Sequence, residues 1–315
     1  MSAIFANVLP VFILILVGWT LVASGYLKVE IGEALGSFVF KVAVPVLLFT
    51  ALGRADFDPH LAFRLWGAYF SGIAVAWIAG QLISLRLFKR DGKASVVMAF
   101  SSCFSNLVLI GLPLISRTFG TEGLMVISTL LAVHLPVMMT VSTVTIEYQA
   151  NRVGPRPLPD ILAQIGRSLL RNPMIIAILS GAAVNLSGVT LPDVITTVTD
   201  QIAHIAGPAA LISLGMSLRR YGVSGNILPS LVASALKLFV MPAAVYVTSM
   251  LFGLPTLWAM TAVLCASIPA GINVWLIANH FDSDRAFAAS VITLSTALGV
   301  VTVSVWAAFV GTTGL

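Results

Sequence analysis

The sequence predicts an all-α integral membrane protein: ten transmembrane helices in two inverted five-helix repeats, with broken, crossing helices four and nine. Three observations carry this. Of 315 residues, 58% are hydrophobic and only 9% charged, with a mean hydropathy of +1.02; a soluble domain carries roughly 25% charged residues. Apolar runs of about 20 residues, the length that crosses a bilayer, recur along the whole chain. Helix-breaking residues also recur at one spacing. Pro10, Gly18, Ser24, Gly25 and Pro45 match Pro173, Gly181, Ser187, Gly188 and Pro208, each 163 residues further on.

The runs fall at 4–24, 33–53, 62–86, 94–119, 123–146, 164–186, 193–218, 226–251, 256–280 and 286–310. No basic residue precedes the first, unlike a cleaved signal peptide, so it is read as a retained helix. Run two holds Lys41 and Pro45. Run three carries Gly72, Ala76 and Gly80, a small-residue stripe that permits close helix contact. Run five holds His134 and Pro136, run seven Gly207 and Pro208, run eight Lys237 and Pro242. The longest polar stretch, 147–171, contains Gly154, Pro155, Pro157 and Pro159 and reads as a linker. The units are therefore 1–147 (helices one to five), a cytoplasmic linker at 148–163, and 164–315 (helices six to ten). With an odd number of spans in each, the second copy lies upside down.

Run four is wrong for a plain anchor. Ser101, Ser102, Ser105 and Asn106 stand at its middle, followed by Gly111 and Pro113. Pro113 lacks an amide hydrogen and its ring crowds the Leu109 carbonyl. An unmet Asn106 amide in hydrocarbon costs several kcal/mol. The reading is a helix interrupted at mid-membrane, its break turned to protein or to a water-filled cavity, although a kinked packing helix has the same composition. Run nine repeats the anomaly with Ser267, Pro269, Gly271 and Asn273; at an offset of 162, Phe119 falls on Phe281 and Gly111 on Asn273.

Charge sets orientation and excludes other classes. One set of alternate connections holds Lys28; Arg86, Lys89, Arg90 and Lys93; Arg152, Arg156, Arg167 and Arg171; Arg219 and Arg220; and Arg285. The other holds only Arg54, Arg64 and Arg117. The first set should be cytoplasmic, in a bacterial inner membrane with both termini periplasmic. The net charge of +5 is thus a topology signal rather than a nucleic-acid one. No Walker A, GxGxxG or HExxH sequence occurs, and Cys103 and Cys265 form no zinc pattern. No enzyme, cofactor or metal is expected.

Intramembrane polar groups are the candidates for function. Lys41 either draws an anion toward a cavity or snorkels to the interface. Lys237 either contacts substrate or pairs with a helix-end carbonyl. His134 either exchanges a proton or packs. The acids Asp56, Asp58, Asp91, Asp160, Asp193, Asp282 and Asp284 sit in connections, and only Asp200 reaches inward. Interior helix N-termini suit a carboxylate. Asn106 and Asn273 supply donors there, with Ser102, Ser105 and Ser267 completing the lining. Both asparagines could instead only stitch the broken backbone.

Six stretches together resemble the auxin efflux carrier family: KVAVPVLLF at 41–49, SSCFSNLVLIGLPL at 101–114, RNPMIIAILSGAAVN at 171–185, GPAALISLGMSL at 207–218, LKLFVMP at 236–242 and ASIPAGINVWLIA at 266–278. The resemblance implies the bile-acid sodium symporter fold. Helices one, two, six and seven are then a scaffold with a homodimer contact, and helices three to five and eight to ten a moving domain. Gly111, Pro113, Pro269 and Gly271 belong to its crossover. The linker is far shorter than the hydrophilic loop of many plant members.

The expected function is transport of a small organic anion across the lipid bilayer by elevator-like alternating access, with uniport or proton coupling rather than sodium. Malonate or malate is the leading substrate. The alternatives are an aromatic carboxylate such as auxin, with Trp66, Trp77, Trp258 and Trp275 lining a wider pocket, an anion channel, or a non-transporting receptor.

Overall fold

In hydrocarbon, a backbone must meet its own hydrogen bonds, which favours helices throughout. The structure, a computed structural model, describes residues 2–53, 59–149, 157–223 and 227–313, and among them every regular element is helical. These are α1 (Ser2–Ala23), α2 (Val29–Phe38), α3 (Val44–Leu52), α4 (Pro59–Arg86), α5 (Gly92–Ser101), α6 (Leu112–Gln149) and α7 (Leu158–Arg171). The second half holds α8 (Pro173–Ser187), α9 (Asp193–Tyr221), α10 (Ile227–Ala235), α11 (Met241–Leu251), α12 (Thr256–Ser267), α13 (Asn273–His280) and α14 (Arg285–Thr313). Six helices among the described residues are long and apolar enough to cross a membrane: Val29–Leu52, His60–Arg86, Leu107–Gln149, Asp193–Tyr221, Ile227–Leu251 and Arg285–Thr312. Arg54, Asp56, Asp58, Arg152, Gly154, Pro155 and Arg156, used above for topology and the linker, lie outside the described residues.

Prolines shape three of these helices. α2 joins α3 through a π turn, Val39–Ala43; α10 joins α11 through Leu236–Val240; and α6 is entered through Leu107–Gly111. Beyond each turn, after one intervening residue, stands a proline: Pro45, Pro242 and Pro113. A proline cannot donate to the carbonyl four residues back, and its ring pushes that carbonyl aside. The amide just ahead of each proline bonds five residues back instead: Val44 to Val39, Met241 to Leu236, Leu112 to Leu107. The Leu238 carbonyl, four before Pro242, accepts from Trp306 Nε1 at 2.8 Å. Gly111 therefore closes a π turn and Pro113 stands in the first turn of α6.

Two boundaries follow from single residues. At Gly120 the backbone of α6 takes φ 60° and ψ −145°, a conformation that suits glycine, and the element divides into 112–119 and 121–149. The run placed at 164–186 is bent in two at Asn172. α7 is a separate amphipathic helix that bends by 71° into α8 at Asn172. Pro173 has no amide to contribute, and Asn172 caps α8 by accepting from the Met174 amide at 2.9 Å. Residues 158–163 of the expected linker belong to α7.

Much of the packing falls into two groups, which meet where α1 lies on α14 and on α6, and where α9 lies on α14 and on α6. α1 and α2 lie on α9, and α3 lies on α8 and α9. α4 lies on α5 and α11, α12 on α6 and α11, and α14 on α10, α12 and α13. Small residues permit the closest approaches. A Cβ on Gly18 would overlap the Ile212 carbonyl, and one on Gly181 would crowd the Phe49 backbone. In the second group, Gly72 meets Val245 and Gly80 meets Ala99 and Ser102.

Candidate functional site

α5 stops at Ser101 and helix resumes at Leu107; α12 stops at Ser267 and helix resumes at Asn273. The two gaps cross and bond to each other. The Asn106 amide donates to the Pro269 carbonyl at 3.0 Å, and the Gly271 amide donates to Phe104 at 3.2 Å. Ser105 and Ala270 form an isolated antiparallel bridge between these bonds. Side chains complete the accounting of buried polar groups. The Ala270 amide donates to Ser295 Oγ at 3.1 Å, and the Tyr69 hydroxyl donates to Ser105 Oγ at 3.2 Å. Pro269 and Gly271 lie in the second gap.

Two helix beginnings therefore meet at the crossing, each with the positive end of its dipole. Asn106 caps the first: its Oδ1 accepts from the Leu109 amide at 3.3 Å, and its buried Nδ2 has no hydrogen-bond partner. The second begins at Asn273 with no side-chain cap. Both asparagines and Ser105 line one cavity of about 470 Å³. Its remaining walls include Gly36 and Phe40, Ser213, Ser217 and Tyr221 from α9, and His134 and Trp275. The one acid on this wall among the described residues is Glu33, which is ion-paired with Arg220.

The other expected site residues are placed differently. Ser102 donates to the Met98 carbonyl at 2.8 Å and Ser267 to Leu264 at 2.8 Å. Each hydroxyl turns back on its own helix, as buried serines do in apolar surroundings, and neither lines the cavity. Lys41 is exposed on its π turn and is not among the residues that line either of the two cavities described here, which fits the snorkelling alternative. Lys237 is fully buried, and its Nζ donates to the Ala266 carbonyl at 2.6 Å, the helix-end pairing. His134 is buried on the cavity wall, with its ring stacked on Phe104 at 4.9 Å. Of the four tryptophans named above, only Trp275 lines the cavity; Trp66 donates to the Thr129 carbonyl at 2.8 Å.

Sequence reasoning missed the half-exposed ion pair on the cavity wall. Arg220 pairs with Glu33, and its guanidinium lies 5.3 Å from the Trp275 ring centroid. Arg219 and Arg220 entered the reading only as topology charges. It also missed Tyr69 and Ser295, which hold the two gaps from other helices. A second cavity of about 520 Å³ lies at the opposite end of α9, lined by Thr50, Ser116, Arg117, Asp200 and His204 among others. Asp200, the one acid expected to reach inward, is on its wall. Neither Asn106 nor Asn273 lines it.

Known proteins are similar along nearly the whole length. The membrane transport protein family matches residues 3–307. A "Putative malonate transporter" of Rhizobium meliloti is 26% identical over 320 residues, covering 96% of this chain and 95% of that protein. Uncharacterized transporters of Methanothermobacter thermautotrophicus and Methanocaldococcus jannaschii are 26% and 23% identical, each over 308 residues, 95% of this chain and 96% of theirs. Apolar spans, paired helix breaks and this match along the chain agree: the protein belongs to the auxin efflux carrier-like family of membrane transport proteins and is a multi-pass membrane transporter.

Proposed function

We propose that this transporter is a secondary carrier of a small organic anion, a mono- or dicarboxylate such as malonate or malate. The observation that carries the reading is the meeting of two interior helix N-termini, at Asn106 and Asn273, on the wall of one cavity. Their dipoles and the Asn106 Nδ2 favour a carboxylate without a buried arginine. The name of the Rhizobium relative points to the same substrate class.

In this reading ten spans form two inverted repeats. They are α1, α2–α3, α4, α5 with 107–119, 121–149, α8, α9, α10–α11, α12–α13 and α14. The first packing group is the scaffold and dimer contact, and the second is the moving domain. The site cavity opens toward Arg220 and Glu33, the cytoplasmic side by the charge rule; the Arg117 cavity faces the other side, with both termini. α7 lies along the cytoplasmic surface of the inner membrane. An elevator-like shift of the second group carries the crossing from one side to the other.

Phe104, Tyr221 and Trp275 on the cavity wall support a second reading, a bulkier aromatic carboxylate. A thermal-shift panel of malonate, malate and indole carboxylates on purified protein separates the two, since a ligand stabilises in proportion to the logarithm of its concentration over Kd. Flux in sealed liposomes tests the carrier class. Saturable uptake with counter-flow is expected. Channel-like flux, or binding without flux, overturns the assignment.

A further inference from the structure

We infer that Lys237 is a tethered cation that occupies, within the moving group, the place a coupling sodium ion takes in carriers with broken helices. Two helix beginnings at the crossing imply two helix ends, those of α5 and α12. Their last carbonyls carry the negative end of the dipole and need a donor. Broken-helix carriers meet such ends with sodium or a proton. Here the Lys237 ammonium donates to Ala266, in the last turn of α12, at 2.6 Å. The ammonium thus meets the end of α12 directly.

Two further observations fit a cation that stays. The residue is completely buried, so it has no path to snorkel to an interface. No carboxylate pairs with it among the described residues, which leaves backbone carbonyl as the acceptor. A lone buried ammonium is expensive unless paired and hydrogen-bonded. The hydrogen bond to the Ala266 carbonyl offsets part of that cost here. A covalent cation at this point leaves no vacancy for a free one, so transport needs no sodium.

This rests on the carrier reading for its functional meaning, but its test needs no substrate. The melting temperature of purified protein is measured in sodium, methylammonium and choline chloride at equal ionic strength. Wild type is expected to be indifferent to the cation. Lys237→Ala removes the ammonium and opens its space. Sodium or methylammonium, but not choline, is expected to raise the Tm of this variant by on the order of a few °C. Lys237→Met keeps the stem without the charge and is expected to melt lower than wild type in every salt. Sodium-selective stabilisation of wild type overturns the inference. So does a Lys237→Ala protein that responds alike to all three cations, or a Lys237→Met protein with wild-type Tm. Should Lys237→Ala not fold, wild type and Lys237→Met decide. Failure of every carboxylate to bind wild type would sink the carrier reading and leave these cation results standing.

Discussion

Gly18 meets the backbone carbonyl of Ile212 so closely that a β-carbon between them would overlap it. The contact has a reciprocal. Gly181 lies 163 residues after Gly18, Phe49 lies 163 before Ile212, and Gly181 crowds the Phe49 backbone. Exchanging the two members of one pair by a constant offset produces the other pair. A two-fold relation between halves has this property, and it supports the repeat proposed above. Helices can approach so closely only where the facing residue has no side chain.

Gly18→Ala and Gly181→Ala should each destabilise the protein, because the contact is backbone on backbone and no rotamer can yield. Overpacking of this kind costs roughly 1–3 kcal/mol. Lowered melting temperatures for both variants in detergent are the expected result. Gly166→Ala on α7, where a Cβ meets nothing within 4 Å, is the control and should not lower Tm. Equal Tm in all three would remove the tight-contact argument.

Asn106→Ala should weaken carboxylate binding while the protein remains folded. A hydrogen bond to a charged partner contributes about 1.5–3 kcal/mol, which is about 10- to 150-fold in affinity. Calorimetry on monodisperse protein measures it. Lys41→Gln is expected to bind as wild type does, because Lys41 lies outside the cavity. Wild-type affinity in Asn106→Ala, with only a lowered Tm, would make Asn106 a structural residue.

Trp306→Phe keeps most of the ring but removes the donor to Leu238. That carbonyl is already denied its usual partner by Pro242, so the variant leaves it unmet. The expected loss is about 1–3 kcal/mol. Trp306→Phe combined with Pro242→Ala should lose less than the sum, since an alanine amide can donate to Leu238. A double-mutant cycle on Tm reads the coupling, and simple additivity would refute it.

Asp284 gives a pH signature at the start of α14. It is ion-paired with Arg90, whose guanidinium also lies 4.4 Å from the Phe287 ring centroid. Partial burial pushes the Asp284 carboxyl above the usual carboxylate range; Arg90 opposes the rise and Asp91 adds to it. The folded state therefore holds this proton more tightly than the unfolded one. Its contribution is fully present below the ordinary value of about 3.9 and is lost as pH rises through the raised one. Asp284→Asn removes the titration, so the Tm of wild type relative to the variant should fall as pH is raised through that window. A pH-independent difference contradicts this.

The sequence by itself determined that the chain is apolar and helical and where its two paired helix breaks fall. Backbone accounting in hydrocarbon is local, and a proline, a glycine or a buried asparagine acts on its own turn. Asn106, Pro269, Gly271 and Asn273 were legible for that reason, and so was the 163-residue spacing. The tertiary structure alone decided which polar groups face one another. Lys41 and Lys237 look alike in sequence, each inside an apolar run shortly before a proline. Packing covers one completely and leaves the other exposed. Ser105 and Ser102 differ in the same way, one held by Tyr69 at the crossing and one turned onto its own helix. Glu33 and Arg220 meet across 187 residues, and Ser295 reaches Ala270 from another helix. Such pairings depend on the rotation of each helix about its axis, which is set by the neighbours it packs against.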